Sequence, residues 1–236
     1  MVVVLLALFT FHSSLFTAKA QTDPEYKLEL GGGIGLVSYQ GDLNGSLLKN
    51  QQPMFTLLGK YRFDPRRALA LNVSYGQLKG SSKDANTYYP ADPSAPTSTT
   101  MPLSYDFKSN VVDVGLRLEY NFWPYGTGFE YRGAKRLTPY VAIGLGMTIA
   151  KADGKSATGV NLPIGVGVKY KMGDRLNLAA EWAMHITTSD DLDGIKDPYG
   201  IGGSGLFKNT DCYSHLRVSL SYDLWAKCRT CHNDRD

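Results

Sequence analysis

The sequence predicts an all-β fold, an eight-stranded antiparallel up-and-down transmembrane β-barrel, and three observations predict it. Eight segments alternate apolar and polar residues with period two, several of them over ten or more positions. Beyond residue 20 no stretch has the length and apolarity of a membrane-crossing helix, so any span must be built from strands. The composition is led by Gly (25 residues) and Tyr (15 residues), which suits closely approaching strands flanked by interfacial aromatics.

Ahead of the first strand, Val2 to Phe9 is almost wholly apolar and Ala18-Lys19-Ala20 is a small-x-small cleavage pattern. Residues 1–20 therefore read as a signal peptide, with the mature chain starting near Gln21. The positive charge expected before the apolar run is missing, which leaves a start further upstream as an alternative. An uncleaved anchor is disfavoured because the run breaks at His12-Ser13-Ser14. No Cys follows the cleavage site, so a lipoprotein finds no support.

The first strand is expected over Tyr26 to Tyr39, where Gly31-Gly32-Gly33-Ile34-Gly35 reads as small-residue packing and not as a phosphate loop. Met54 to Phe63 and Ala68 to Leu78 follow, joined by Asp64-Pro65-Arg66-Arg67. In Val111 to Phe122, Val112, Val114, Leu116, Leu118 and Tyr120 oppose Asp113, Gly115, Arg117, Glu119 and Asn121. Leu137 to Ala150 is the fifth segment. Val160 to Met172 is the clearest, with Val160, Leu162, Ile164, Val166, Val168 and Tyr170 on one face and Lys169 and Lys171 on the other. Gly173-Asp174-Arg175 turns the chain into Leu176 to Ile186, a hairpin, and Cys212 to Leu224 is the last strand.

The connections fall into two groups. Short turns after the second and sixth strands, with Trp123 to Arg136 after the fourth, lie at one end; Gly41 to Pro53, Gly80 to Asp106, Lys151 to Gly159 and Thr188 to Asp211 lie at the other. A barrel whose N- and C-termini are periplasmic keeps its short turns on that side and its long loops outside. The expected organisation is a signal over residues 1–20, a barrel over 21–225 and a periplasmic Cys-containing tail over 226–236.

Alternation also fits a soluble ligand-binding barrel, so the faces decide. A soluble calyx is apolar inside, whereas lipid as the outer solvent inverts this. Here one face carries long apolar residues in nearly every slot, and the other mixes small residues with charges of both signs. Tyr26, Tyr61, Phe63, Tyr120, Phe122, Trp123, Tyr170, Tyr222 and Trp225 sit at strand ends as a periplasmic-side girdle. The interior would then hold Lys27, Glu29, Lys60, Arg62, Asp113, Arg117, Glu119, Lys169, Lys171, Glu181, Arg217 and Asp223. A mutually paired plug is expected, since eight strands leave little room for an ion path.

A net charge of +3 with scattered Lys and Arg speaks against nucleic acid. Cys228-Arg229-Thr230-Cys231-His232 matches the c-type haem attachment pattern, but only four residues follow His232 to enclose a porphyrin. A local disulfide or a partner contact is the plainer reading, and zinc would lack a fourth ligand nearby. Cys212 reads as a small buried residue, and His185 and His215 as lumen-facing. Ser214 and His215 leave opposite faces of a strand and cannot pair as nucleophile and base. No G-x-S-x-G or H-E-x-x-H occurs. The expectation is no catalytic residue, cofactor, metal or small-molecule substrate.

Leu30 to Leu36 with Ser38-Tyr39-Gln40-Gly41-Asp42-Leu43-Asn44 resembles the opening strand and loop of a Bacteroidetes outer-membrane β-barrel family that includes PorG, a type IX secretion system component. Tyr61-Arg62-Phe63 through Arg67-Ala68-Leu69 to Tyr75-Gly76 resembles its first hairpin. Leu118 to Tyr125, Leu137-Thr138-Pro139-Tyr140 running into Gly144-Leu145-Gly146, and Pro163 to Lys171 with Asp174-Arg175 and Glu181 extend the resemblance over most of residues 26 to 225. It implies a non-enzymatic scaffold in outer-membrane lipid that contacts periplasmic ring proteins of the PorK and PorN kind. The contact candidates are Trp123, Tyr125, Arg132, Cys228 and Cys231, in the long turn and the tail. The alternative is a general envelope or adhesion barrel of OmpA or OmpX type, acting through its outer loops.

Overall fold

The computed structural model describes residues 26–40, 50–81, 106–127, 133–152, 155–188 and 212–226. Its strands are β1 Tyr26–Gln40, β2 Gln52–Arg62, β3 Arg67–Ser81, β4 Asp106–Asn121, β5 Leu137–Ala152, β6 Lys155–Lys171, β7 Leu176–Thr187 and β8 Cys212–Ala226. Each pairs antiparallel with its neighbour in sequence, and β8 returns to β1, so the sheet closes in chain order. Closure satisfies every strand edge, the condition for strands to cross lipid. The expected signal, the tail and most of the long-loop segments lie outside the described residues.

All eight strands run past an expected bound, most by one to three residues and two by more. β4 begins at Asp106 and β6 at Lys155, each five residues before the apolar alternation starts at Val111 and Val160. The connections Gly80 to Asp106 and Lys151 to Gly159 are correspondingly shorter than the sequence suggested. Backbone pairing continues past the apolar belt, as in Lys79 opposite Lys108 and Ala150 opposite Ala157. Along β5–β6 the ladder is interrupted between Ile143–Ile164 and Gly146–Asn161, around Pro163, which has no N–H to donate.

The faces are inverted relative to a soluble protein. Leu57, Ile34 and Leu145 point outward at 69%, 66% and 65% exposure, while Lys171 and Asp223 are completely buried inside. At the long-loop end an apolar cluster of Val37, Tyr39, Met54, Leu78, Phe107, Val111, Ala150 and Tyr213 fills the lumen, with Tyr39 and Phe107 edge-to-face at 4.9 Å. Small residues bring the strands together where long interior side chains need room. A Cβ on Gly144 would run into the Leu116 carbonyl and the Arg117 backbone.

The girdle forms at the short-turn end, with Tyr61 against Phe63 at 5.5 Å and Tyr120 against Phe122 at 6.0 Å. Tyr26 is the exception. It is 7% exposed, and Lys171 Nζ lies 5.2 Å from its ring centroid, so it belongs to the end of the lumen and not to the girdle. The cause is local: Trp225 has φ of 55°, and the β1–β8 register passes from Leu28–Leu224 to Tyr26–Ala226 without a Lys27–Trp225 pair.

Candidate functional site: the charged lumen and its cap

Period-two alternation points every second side chain into the lumen, and many of these are charged or polar. Near the short-turn end, Glu29 of β1 receives Arg62 of β2, and the same guanidinium reaches Asp223 of β8 at 2.9 Å. Lys171 of β6 also binds Asp223, whose other oxygen accepts from Asn177 Nδ2 at 2.8 Å. Glu119 of β4 lies between Lys60, at 3.2 Å, and Lys169. Tyr140 stacks beneath Lys169 Nζ at 4.3 Å.

Midway along, Glu181 is the hub. It accepts from Arg117 Nη1 at 2.8 Å, Arg217 Nη2 at 2.8 Å and the Tyr140 hydroxyl at 2.7 Å, and His215 Nε2 faces it at 3.3 Å. From there a chain runs toward the apolar cluster. His215 Nδ1 lies 3.2 Å from His185 Nε2, His185 Nδ1 lies 3.0 Å from the Tyr213 hydroxyl, and that hydroxyl donates to Asp113 at 2.8 Å. Both ends of this chain are carboxylates. With neutral rings, His215, His185 and Tyr213 supply three protons for four contacts. A cavity of about 10 Å³ beside the histidines has room for about one water.

The short-turn end is capped. Tyr125, in the turn after β4, is buried; its hydroxyl donates to Asn177 at 2.8 Å and its ring lies 5.4 Å from the Arg62 guanidinium. Its backbone N–H donates to the Pro65 carbonyl at 3.0 Å, tying this turn to the β2–β3 turn. Burial holds its phenol protonated well above the usual tyrosine range. As a partner contact Tyr125 is therefore corrected: its side chain closes the lumen instead of facing outward. Trp123 remains at the surface, 40% exposed, with Lys135 Nζ 4.5 Å from its ring. Arg132, Cys228, Cys231 and His232 lie outside the described residues.

All the expected interior charges except Lys27 are buried; Lys27, at the strand end, is half-buried. The pairing of His185 with His215 was not read from the sequence, although Ala183 opposite His215 in the register would have suggested it. Ser214 is buried as well, and its hydroxyl accepts from Gln40 Nε2 at 2.7 Å. Cys212 is half-buried instead of buried. Among the described residues no cluster of His, Cys, Asp and Glu is arranged to hold a metal.

A closed sheet with an apolar exterior and an ion-paired interior is a membrane-spanning β-barrel. Residues 3–223 match the outer membrane protein beta-barrel domain, and the chain belongs to that family, which places it in the outer membrane. No curated protein matches it. Among solved structures, Neisserial surface protein A shares 13% identity, with a TM-score of 0.51 over 84% of this chain and 97% of that one. Ail of Yersinia pestis is 11% identical, with a TM-score of 0.46 over 86% of this chain and all of that one. OprG of Pseudomonas aeruginosa is 13% identical, with a TM-score of 0.45 over 88% of this chain and all of that one. The likeness to Neisserial surface protein A is one of fold.

Proposed function

We propose that this chain is a non-enzymatic, non-conducting barrel that anchors the type IX protein secretion machinery in the outer membrane, with both termini and the short turns in the periplasm. The observation that carries the reading is the filled lumen: paired charges run from Tyr125 to Asp113 and an apolar cluster follows. A barrel filled this way offers its ends for work and not its interior. At the short-turn end the Trp123 to Arg136 segment presents Trp123 and Lys135 for contact with periplasmic ring proteins, and the resemblance at Leu118 to Tyr125 supports that partner class. Deleting the gene and assaying export of cargo proteins tests this reading; unimpaired export would refute it.

One observation favours a second reading, an envelope or adhesion barrel. Six of the eight strands have 15 to 17 residues, against 11 in β2 and 12 in β7, and β4 and β6 continue past the apolar belt at the long-loop end. Trimming residues 82–105 and 189–211 should abolish an adhesive role and leave cargo export intact.

A further inference from the structure

Two like-charged pairs stand directly opposite each other in the barrel register, and the molecule treats them differently. Inside, Glu29 faces Asp223, and the Arg62 guanidinium bridges the two carboxylates. Outside, Lys79 of β3 faces Lys108 of β4. Like charges directly opposite on one face of a sheet repel. Among the described residues no carboxylate pairs with either lysine. Asp106, two residues from Lys108 on the same face and opposite Ser81, forms no ion pair with them.

The surroundings define a level. Tyr75 and Val112, opposite each other, are the last of the apolar belt here, at 55% and 37% exposure. One step higher, Gln77 donates to Asn110 at 3.2 Å, and Asn110 stands opposite the exposed Lys151 of β5. Lys79 and Lys108 come one step above that. Among the described side chains, three cations against one carboxylate thus sit on adjacent strands immediately above the lipid-facing surface, at the depth of lipid headgroups.

We propose that Lys79, Lys108 and Lys151 form a docking site for the phosphate-bearing headgroup of an outer-leaflet glycolipid of the lipid A kind. A phosphate between Lys79 and Lys108 does outside what Arg62 does inside, with the signs exchanged. Lys151, offset by one strand and one step, reaches a second anionic group, which favours a headgroup with more than one phosphate over a singly charged phospholipid. The amide pair Gln77–Asn110 supplies polar partners between the cations. The assignment to the outer leaflet rests on the long-loop end facing outward, and it is independent of any role in secretion.

The test uses the purified full chain in detergent, with lipid A, phosphatidylglycerol and inorganic phosphate as separate probes, read by native mass spectrometry and thermal shift. Wild type should bind lipid A roughly tenfold or more tightly than K79Q/K108Q/K151Q. Phosphatidylglycerol and inorganic phosphate should give weaker responses. Equal lipid A binding by wild type and triple variant overturns the site. Phosphatidylglycerol binding as tightly as lipid A overturns the glycolipid assignment, and an equal response to inorganic phosphate overturns the lipid assignment. Heat-modified gel migration reports folding; if the triple variant does not fold, K108Q alone breaks the like-charged pair and must weaken lipid A binding. Because binding is read on the isolated barrel, its failure is distinct from an unimpaired export phenotype.

Discussion

Glu181 is a hub of the lumen, since Arg117, Arg217, Tyr140 and His215 all converge on it. Glu181→Ala leaves two guanidiniums buried without their anion and should destabilise the barrel by about 3–5 kcal/mol. Urea unfolding in detergent measures this, and an unchanged midpoint would contradict the hub. The histidine pair makes a different prediction: two N–H groups cannot face each other at 3.2 Å, so nitrogen NMR of labelled His185 and His215 at neutral pH should show at most one hydrogen between the rings. A doubly protonated pair would refute it. Tyr125 predicts an alkaline effect. Its raised phenol means that its contribution is intact below about pH 10 and lost as the pH climbs further. Tyr125→Phe should remove that loss from alkaline melting curves while forfeiting about 1 kcal/mol for its bond to Asn177. At this scale alternation made the charges legible as interior residues, but not Tyr125. Nothing local to that turn says that its chain folds under the barrel, because the bond to the Pro65 carbonyl joins residues far apart in sequence.

The strands were legible to the extent that lipid writes on them. In β7 and β8 the observed bounds exceed the expected ones by one or two residues. β4 and β6 ran longer because outward positions such as Asp106, Lys108 and Asn110 stand above the belt, where apolar alternation ends and hydrogen bonding does not. Tyr26 escaped for another reason: it is buried although its parity matches the outward Leu30, beside a backbone irregularity at Trp225 that strict parity cannot foresee. The strand-level prediction concerns Gly144. Gly144→Val forces a side chain into the β4 backbone beside Arg117 and should abolish the folded, heat-modifiable band, whereas Val141→Leu on the lipid face of the same strand should leave it unchanged.

Taken whole, the barrel is a filled cylinder. Planar bilayers containing it should show no steady open conductance, and a stable pore of uniform size would refute the plug. The seam between β1 and β8 has one further consequence. It joins the first and last strands through register pairs from Tyr26–Ala226 to Gln40–Cys212, so the two edges that need each other are made at opposite ends of synthesis. A chain that stops before residue 212 cannot close, because the free edges of β1 and β7 are left exposed. Assembly is therefore all-or-none in chain length. The β1 edge stays without its partner until the final strand arrives, and loss of even that last segment should convert a membrane protein into an aggregate.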